Sequence, residues 1–588
     1  MASEESSSTI STEEIKLSIG ALFGGLLESY RRMDMPIQQY ISFILIPSAG
    51  FFFLTIVAFF LLDFPLFILG PVPLLGLLAV GVAVFYPKVL LSQRERELNN
   101  QFHLMVTHMT VLATTKIDRM EVFRTLAEEE SYGELADELG RIVELVDTWN
   151  QSLDDACRRR AKEVPSEPLS DFLDRLAYTL GAGQSLEDYL LSEQEQIIQN
   201  YTTVYNATLD NLEVMKDLYL SMILAMTFAL VFSVVLPVLT GTDPTLTVSA
   251  VIVMFVFVQT GFFLAIRSIS PFDPVWYHPE DKPSPVDERI RQSFYAGIGL
   301  MGLLFFVSLG GIVGISPVGL ADIVPVFGSP LPMPLYATIP ITPLLIPGLV
   351  LRSAENQVKG RDEEFPSFIR ALGATEGAKQ STTSMVLESL RKKDFGPLTP
   401  NVDDLYKRLN MRIEPTDAWR HFTADCRSYL IQRFSEMYLI GREMGGSPKL
   451  LGELIAENMN EVLQLRQKRQ QATITIIGLL YGITAASSFA FFIGLQVVNI
   501  LASMSLDLQT SSDFDVASLI NTQVYNIPLI EFLLVVVIMF SAMLSALMIR
   551  TVDGGHKMNT YMHFVVLAWV GALVAIVTKT LVNSFLAV

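Results

Sequence analysis

The sequence predicts an all-α polytopic membrane protein with about nine transmembrane helices and two cytoplasmic helical-bundle domains. The mean hydropathy is +0.41 over 588 residues, and long apolar runs recur along the chain. The two long polar segments show helical periodicity and no alternating strand pattern. A soluble enzyme with a single membrane tail is therefore excluded.

Nine segments are long and apolar enough to cross a bilayer. They are residues 40–62, 64–87, 218–240, 246–268, 293–315, 335–352, 472–499, 527–549 and 560–584. The sixth contains Pro340, Pro343 and Pro347, so a kinked or re-entrant segment is the alternative to a straight span. The predicted domains are a tail (1–39), two spans (40–87), a first polar domain (88–217), four spans (218–352), a second polar domain (353–471) and three spans (472–588).

The distribution of Lys and Arg predicts the orientation. With both polar domains on one side, four short segments lie on the other, around Asp63 and at 241–245, 316–334 and 500–526, and none contains Lys or Arg. The basic loop residues all lie on the opposite side and include Arg267, Arg289, Arg291, Arg352, Arg550 and Lys557. The positive-inside rule then predicts cytoplasmic polar domains, a cytoplasmic N-terminus and an extracellular C-terminus. Lys579, near the outer end of the last span, is expected to snorkel to the interface.

The first residues, Met1 to Glu14, are rich in Ser and Glu and carry no basic stretch before an apolar core. They predict a disordered cytoplasmic tail and no signal peptide.

One pattern occurs twice along the chain. The polar segment that begins near Phe102 returns at Phe365, an offset of 365 − 102 = 263, which also pairs Asp154 with Asp417 and Gly183 with Gly446. This indicates a duplicated module, although chance similarity between helical segments is an alternative. After each glycine stop, residues 185–239 and 448–498 run from polar to apolar without a break, which predicts one continuous helix each. Two helices with a bend at the membrane surface are the alternative.

Apolar residues at three- and four-residue intervals predict the buried faces of both bundles. In the first copy they are Leu135, Leu139, Ile142, Val146 and Trp149, then Phe172, Leu173, Leu176 and Leu180. In the second copy they are Phe365, Phe368, Ile369 and Leu372, then Val402, Leu405 and Leu409, then Leu430, Phe434, Met437 and Ile440.

The net charge of −19 is unevenly distributed. Residues 88–217 contain 13 Lys and Arg against 25 Asp and Glu (13 − 25 = −12), and residues 353–471 contain 18 against 17 (18 − 17 = +1). A salt-rich cytosol would explain the excess of carboxylates, and an ordinary acidic loop is the alternative. Two cysteines, Cys157 and Cys426, exclude a disulfide framework.

The search for catalytic motifs finds no phosphate-binding loop, no metalloprotease or hydrolase motif and no Cys-x-x-Cys pair. Gly297, Gly299 and Gly302 form G-x-G-x-x-G inside a span, where close helix packing is favoured over nucleotide binding. The six histidines show no ligand spacing. The apolar cores of the spans carry almost no ionisable residues, which disfavours an ion-coupled transporter and leaves a passive one open.

Several short segments of the first polar domain carry a resemblance to a known family. They are His108–Lys116, Val122–Leu126, Tyr132–Gly133, Glu138, Asp147–Trp149, Ser152–Ala156, Pro165–Ser166, Phe172–Leu176 and Gly181–Leu186. These segments resemble the F-type domain of the inner-membrane platform proteins of type II secretion, type IV pilus and archaellum machines. In this chain the domain would occur twice, near 95–217 and 360–471.

The resemblance implies a non-enzymatic platform in the cell membrane, without catalytic residues or cofactors. A cytoplasmic hexameric secretion ATPase (FlaI-like) and an accessory FlaH-like protein would dock on it, and archaellin or pilin subunits would assemble around it. Membrane lipids are the other expected contacts, nucleic acid is not expected, and the platform is expected to be a homodimer. The acidic composition suggests a haloarchaeal version. The platform of an adhesion pilus is one alternative, and a passive membrane transporter is the alternative from another class.

Clusters of basic residues are the candidate contact sites. The candidates for docking an acidic partner are Arg158, Arg159, Arg160 and Lys162 in the first polar domain, and Arg391, Lys392 and Lys393 in the second. Arg466, Lys468 and Arg469 are the candidate anchor to anionic lipid headgroups. An ordinary solvated face is the alternative for the docking clusters.

Overall fold

A computed structural model describes residues 37–61, 71–279, 285–313, 320, 331–379, 383–511 and 526–586, and these residues are overwhelmingly helical. In this part of the chain the β pairing consists of one antiparallel bridge between Trp276 and Ser428. The prediction of an all-α fold is therefore confirmed. The predicted N-terminal tail lies almost entirely outside the described residues.

Eighteen helices are numbered here in chain order. The first seven are α1 (Ile46–Leu61), α2 (Pro71–Ala113), α3 (Arg119–Ala127), α4 (Glu134–Asp147), α5 (Leu153–Glu163), α6 (Glu167–Gly181) and α7 (Leu186–Val235). The next four are α8 (Pro244–Ile269), α9 (Pro285–Val313), α10 (Met333–Ile341) and α11 (Leu345–Lys379). The last seven are α12 (Thr383–Leu390), α13 (Thr399–Asn410), α14 (Pro415–Cys426), α15 (Tyr429–Glu443), α16 (Pro448–Ser511), α17 (Ile527–Asp553) and α18 (Thr560–Leu586).

Among the described residues, eight helical segments are long and apolar enough to cross a membrane. They are Gln38–Val57, Leu186–Val235, Pro244–Ile269, Val286–Gly310, Met333–Ala378, Pro448–Leu501, Ile527–Asp553 and Lys557–Phe585. Each contains or overlaps one of the predicted spans. The remaining prediction, 64–87, lies partly outside the described residues, and its second half forms the beginning of α2.

The proline-rich sixth span is interrupted by a short 3-10 turn. Helix α10 ends at Ile341, a 3-10 turn follows at Thr342–Leu344, and α11 continues from Leu345. Pro343 lies within that turn. Proline lacks the amide hydrogen needed for an α-helical hydrogen bond, so the backbone changes its winding here while the chain continues in the same segment.

The duplication is confirmed at the level of helix boundaries. Helices α12, α13, α14, α15 and α16 begin 262 to 265 residues after α3, α4, α5, α6 and α7, respectively. The turn before the last helix is also repeated: Gly183 has φ of +78° and Gly445 has φ of +85°, with 445 − 183 = 262. Gly445 is thus the structural counterpart of Gly183, and the predicted pairing with Gly446 is off by one residue.

The described chain divides into two compact units. One comprises the residues up to Ala113 together with Ile117–Gln194, and the other comprises Thr114–Lys116 and the residues from Glu195 onward. In the first unit, Phe123, Leu135, Ile142 and Phe172 form part of a fully buried core. In the second unit, the corresponding bundle buries a cluster of aromatic side chains from α11, α14 and α15, namely Phe365, Phe368, Trp419, Phe422 and Phe434.

The predicted continuous helices are confirmed. Helix α7 contains 50 residues and α16 contains 64 residues without interruption, which correspond to lengths of about 75 and 96 Å at the α-helical rise. Each begins in a polar bundle and ends in the apolar part of the chain. A displacement of the polar end of α7 or α16 can therefore be transmitted through one continuous helix to its apolar end.

One predicted core residue is exposed. Helix α4 ends at Asp147, Asn150 adopts a left-handed conformation with φ of +53°, and the side chain of Trp149 is 67% exposed. The prediction that Trp149 lies in the buried stripe is wrong, because helical spacing applies only as far as the helix continues. Arg412, at 150 + 262, adopts the same conformation in the second copy with φ of +60°, and Met411 before it is also 67% exposed.

Candidate functional site: the junction of the second bundle with the membrane helices

Buried charged groups concentrate where the second bundle meets the connections between membrane helices. The contributing segments are α11, α16, the loop 270–279 between α8 and α9, the first turn of α9, and the loop that follows α17. A cavity of about 50 Å³ lies among them, lined by residues that include Asp273, Asp362, Arg466 and Asp553. This region is called the junction below.

Arg466 of α16 is the central cation of the junction. Its Nε donates to Asp273 Oδ2 at 2.8 Å and its Nη2 donates to Asp273 Oδ1 at 2.6 Å. Its Nη1 donates to Asp362 Oδ2 at 2.8 Å, and the carbonyl oxygen of Pro274 accepts a further bond at 2.9 Å. One guanidinium thus joins α16 to α11 and to the loop 270–279, with the bidentate geometry that makes arginine–carboxylate pairs specific.

Asp362 is almost completely buried, and it lies beyond the apolar span 335–352. Burial raises the pKa of Asp362 to about 6, while the charge of Arg466 acts in the opposite direction. The carboxylate therefore depends on Arg466 for its charged state, because an unpaired carboxylate in such surroundings is strongly disfavoured.

Backbone hydrogen bonds attach the loop 270–279 to the turn between α14 and α15. The amide of Tyr277 donates to the carbonyl oxygen of Arg427 at 2.9 Å, and the amide of Tyr429 donates to that of Val275 at 3.1 Å. These bonds surround the bridge between Trp276 and Ser428. Ser428 also caps α15, since its hydroxyl accepts the amide of Ile431 at 3.0 Å. The loop and the bundle thus share one small hydrogen-bonded unit.

Arg427 extends this attachment to the next membrane helix. Its backbone is left-handed, with φ of +58°, and its buried side chain donates through both terminal nitrogens to Asp287 in the first turn of α9. A non-glycine residue in this conformation is uncommon and costs free energy, so the surrounding contacts must hold it in place.

Glu355 of α11 fixes the loop after α17. Its Oε2 accepts the indole N–H of Trp276 at 3.3 Å and the amide of His556 at 3.2 Å, and its Oε1 lies 3.1 Å from Lys359 Nζ. Arg469 of α16 donates to the carbonyl oxygens of Val552 and Thr551 at the end of α17. The loop after α8 and the end of α17 are therefore connected to α11 and α16, and the start of α9 is connected to the turn between α14 and α15.

The lipid-anchor prediction is corrected by this geometry. Arg469 is buried and Arg466 is 13% exposed, and both are satisfied by protein groups, so they do not reach lipid headgroups. Lys468 is exposed, and its Nζ lies 3.3 Å from Asn206 Oδ1. The prediction considers charge alone, whereas neighbouring positions on a helix point in different directions.

The predicted docking cluster of the second bundle is on the surface. Arg391, Lys392 and Lys393 are exposed at the end of α12. Arg391 lies 3.4 Å from Asp403 and stacks over the ring of Tyr406, and Lys393 lies over the ring of Phe395. The cluster is therefore accessible to a partner, and the side chains of Arg391 and Lys393 contact neighbouring residues.

The predicted docking cluster of the first bundle is only partly exposed. Arg158, Arg159 and Lys162 are exposed, whereas Arg160 turns inward to Glu138, whose side chain is 2% exposed. Arg94 and Arg141 contact the same carboxylate at 3.1 and 2.5 Å. Arg160 is thus part of an internal ion-pair network and contributes little to a docking surface.

No pattern in the sequence indicates Asp273, Asp362, Glu355 or Arg427, which build the junction. Each is an isolated charged residue, and its partner comes from a distant segment: Arg466 is 193 residues from Asp273 and 104 from Asp362. A possible signal was the presence of acidic residues beside the membrane among prolines, as in Pro271-Phe-Asp-Pro274.

The glycine motif in α9 behaves partly as predicted. A Cβ atom at Gly297 would lie 3.1 Å from Pro347 and 3.2 Å from the carbonyl oxygen of Pro343, so this glycine permits close helix packing. Gly299 and Gly302 have no neighbouring atoms within 4 Å of such a Cβ.

Comparison with known proteins gives four findings. The family model of type II secretion system (T2SS) protein F matches residues 105–234, which span the first copy. The chain is 33% identical over 566 residues to flagella accessory protein J of Methanocaldococcus jannaschii, covering 95% of this chain and 97% of the relative. It is 31% identical over 555 residues to flagella accessory protein J of Methanococcus voltae, covering 94% and 97%. No solved structure matches the chain.

Proposed function

We propose that this chain, which belongs to the flagella accessory protein J family, is the membrane platform through which a cytoplasmic hexameric secretion ATPase drives assembly and rotation of the archaellum. The ATPase (FlaI-like) and an accessory FlaH-like protein are the proposed cytoplasmic partners, and archaellin subunits are the proposed cargo. The platform itself acts without catalysis.

The observation that carries this proposal is the continuity of α7 and α16 from a polar bundle into the membrane. A partner that changes conformation on a bundle needs a stiff connection to move anything inside the bilayer. An uninterrupted helix provides that connection, because bending or breaking it would cost several backbone hydrogen bonds.

The junction supports the same role. Arg466 and Arg427 tie the second bundle to the loop 270–279 and to α9, and Arg469 ties it to α17. Buried arginine–carboxylate pairs of this kind favour one defined arrangement, because separated charges would be left without partners. Movement of the second bundle would therefore carry several membrane helices with it.

The proposed orientation follows the distribution of Lys and Arg. The N-terminus and both bundles lie in the cytoplasm, the C-terminus lies outside, and nine helices cross the membrane. The proposed docking surface is the cluster Arg391, Lys392 and Lys393, with Arg158, Arg159 and Lys162 as a second contact for acidic partner surfaces.

The test is co-purification of the full-length protein with the ATPase encoded in the same organism. A charge-reversal variant with Arg391→Glu, Lys392→Glu and Lys393→Glu is expected to retain less ATPase than the unmodified protein at low salt. The difference should shrink at higher salt, because salt screens interactions between exposed charges. The matched control reverses three exposed basic residues elsewhere in the second bundle, Arg370→Glu, Arg420→Glu and Lys449→Glu, and changes the net charge by the same amount.

Equal ATPase retention by both variants would remove the docking surface from the proposal. Deletion of the gene is expected to abolish swimming filaments, and loss of adhesive filaments alone would favour a pilus platform. Solute flux in vesicles that contain this protein alone would favour the transporter alternative.

A further inference from the structure

Two arginines lie at the ends of neighbouring membrane helices. Arg267 is in the last turn of α8 and Arg550 is in the last turn of α17. The two helices pack side by side, and Gln259 Nε2 of α8 donates to Ser541 Oγ of α17 at 2.8 Å. Arg267 and Arg550 are close enough for their positive charges to repel each other. Among the residues that the structure describes, neither arginine forms an ion pair with Asp or Glu.

Arg550 is half-buried, and its Nε is buried without a hydrogen-bond partner in the described part of the chain. An arginine in the last turn of a helix ordinarily bonds to the carbonyl oxygens of that helix end. Here three of those oxygens have other donors. Arg469 donates to the carbonyl oxygens of Thr551 and Val552, and the amide of Gly554 donates to that of Arg550. A guanidinium that is partly removed from water without a partner is unfavourable, so an anion is expected to complete it.

Carboxylates on the adjoining segments are engaged by another cation. Asp553, three residues after Arg550, lies 3.5 Å from Lys359 Nζ, and Glu355 lies 3.1 Å from the same nitrogen. The positive charge of Arg550 also acts on the following loop. Burial lowers the pKa of His556, the charge of Arg550 acts in the same direction, and the charge of Glu355 acts against it. The surroundings of Arg550 therefore favour the binding of an anion.

Exposed apolar residues lead along both helices to the two arginines. They precede each arginine at multiples of seven residues, which is just under two helical turns, so they share one side of the helix with it. They are Leu246 and Val253 in α8, and Leu529, Val536 and Met543 in α17. An exposed apolar face of a membrane-spanning helix contacts lipid acyl chains. Each arginine therefore lies where a lipid-facing surface reaches the level of the headgroups.

We propose that Arg267 and Arg550 together bind the phosphate group of an anionic membrane lipid, whose acyl chains lie along the exposed apolar faces of α8 and α17. Two guanidinium groups can donate several charge-assisted hydrogen bonds to the oxygens of one phosphate. The phosphate would offset the repulsion between the two arginines and give the Nε of Arg550 a partner. A free phosphate ion offers the same oxygens, but it would leave the two apolar faces without a role.

The proposed lipid site differs from the anchor that the sequence predicted. Arg466 and Arg469 are satisfied by protein groups, whereas Arg267 is exposed and Arg550 is half-buried at the ends of two spans. The loop 270–279 of the junction begins three residues after Arg267. A lipid bound here would link α8 to α17 beside the junction. The inference does not depend on the proposed function.

Lipid binding to the full-length protein tests the proposal. The protein is purified in detergent, stripped of lipid, and titrated separately with phosphatidylglycerol, with zwitterionic phosphatidylcholine and with inorganic phosphate. Native mass spectrometry counts the bound lipids, and the midpoint of thermal unfolding reports stabilisation by each ligand. The unmodified protein is expected to bind phosphatidylglycerol at least about tenfold more tightly than phosphatidylcholine. Inorganic phosphate at the same concentration should raise the midpoint much less than phosphatidylglycerol does.

Variants identify the residues that bind the lipid. The double variant Arg267→Gln with Arg550→Gln is expected to lose the preference for phosphatidylglycerol. Arg550→Lys keeps the charge without the forked donor group, and it should keep part of the preference. The matched control, Arg289→Gln with Arg291→Gln, removes two exposed charges at the start of α9 and should bind the lipid as the unmodified protein does.

Stability without lipid gives a further test. The double variant should unfold at or above the midpoint of the unmodified protein in lipid-free detergent, because the repulsion between the arginines is gone. A lower midpoint would show that protein groups already neutralise these arginines, and it would overturn the proposal.

Three binding results would also overturn it. They are equal affinity for the two lipids, an equal loss of binding in the control variant, and stabilisation by inorganic phosphate as large as that by phosphatidylglycerol. The single variant Arg267→Gln changes an exposed side chain and guards against misfolding of the double variant. It should bind phosphatidylglycerol several-fold more weakly than the unmodified protein, and unchanged binding would contradict the role of Arg267.

Discussion

Arg466 holds Asp273 through two parallel hydrogen bonds, of 2.8 Å from Nε and 2.6 Å from Nη2, and so joins the second long helix to the loop between two membrane helices. The same guanidinium neutralises Asp362, which burial would otherwise drive towards the protonated form. A single residue thus connects three segments that are far apart in the sequence.

Arg466→Ala is expected to destabilise the protein strongly. The substitution leaves Asp273 and Asp362 buried without their counter-charge, and removal of one partner of a buried pair typically costs about 3 to 5 kcal/mol. Thermal unfolding in detergent, followed by circular dichroism, would measure the loss as a lower midpoint.

Arg420→Ala is the matched control, because Arg420 is 69% exposed and lies 3.7 Å from Asp417. Its effect should stay within about 0.5 kcal/mol. Similar midpoints for the two variants would contradict the central role of Arg466 in the junction.

Gly373→Ala is expected to disrupt the crossing of α11 and α16. A Cβ atom at position 373 would overlap the carbonyl oxygen of Pro448 and approach the Cα of Gly452 to 3.1 Å. Both obstacles are backbone atoms, so the helices must separate, and overpacking of this kind typically costs about 1 to 3 kcal/mol or more.

Gly478→Ala provides the comparison for Gly373→Ala, since no atom lies within 4 Å of a Cβ at position 478. The yield of monodisperse protein and the midpoint of thermal unfolding would measure both variants. Loss at position 373 with retention at position 478 is the expected outcome, and the reverse would refute the close helix crossing.

Trp149 and Trp419 are expected to respond differently to substitution. Trp149→Ser should change stability by less than about 0.5 kcal/mol, because the side chain is 67% exposed. Trp419→Ala should cost about 3 to 5 kcal/mol, because Trp419 is 3% exposed and contacts the rings of Phe368, Phe422 and Tyr438.

Fluorescence quenching offers an independent check on Trp149. Acrylamide should quench part of the emission of the native protein, and Trp149→Ser should reduce the quenched fraction. An unchanged quenched fraction would mean that Trp149 is covered in solution.

The two cysteines are expected to resist alkylation in the folded protein. Burial raises the pKa of Cys157 from an ordinary value of 9.0 to about 12, and burial also raises the pKa of Cys426. Only the thiolate reacts rapidly, so both thiols should incorporate iodoacetamide slowly at about pH 8 and quickly after denaturation. Mass spectrometry would count the adducts, and rapid labelling of the native protein would contradict the burial of these residues.

The raised pKa of Cys157 predicts how the stability of the protein changes at alkaline pH. Between pH 9 and about 12 the folded protein retains the Cys157 proton, whereas the unfolded chain loses it. Stability contributed by this group therefore falls as the pH rises through that window. Cys157→Ala should make the midpoint of thermal unfolding less sensitive to pH above about 9, relative to the unmodified protein.

Local patterns in the sequence were sufficient to predict the helices. Apolar runs predicted the spans, helical spacing predicted the bundle helices, and the absence of Pro or Gly clusters predicted the continuity of α7 and α16. These are properties of neighbouring residues, since hydrogen bonds within one helix depend on residues four positions apart. The duplication was also visible, because two copies of one fold retain the same lengths of helices and turns.

The partners of individual side chains were decided by the tertiary structure. The sequence predicted Arg466 and Arg469 as an anchor to lipid headgroups, whereas in the structure groups of α11, α17 and the loop 270–279 bind their side chains. Helical spacing predicted Trp149 as a core residue, but α4 ends at Asp147 and the side chain of Trp149 is exposed. The sequence determined the helices and their repetition. Only packing determined the buried pairs of Arg466 and Arg427, because these contacts join segments 104 to 193 residues apart and no local periodicity specifies them.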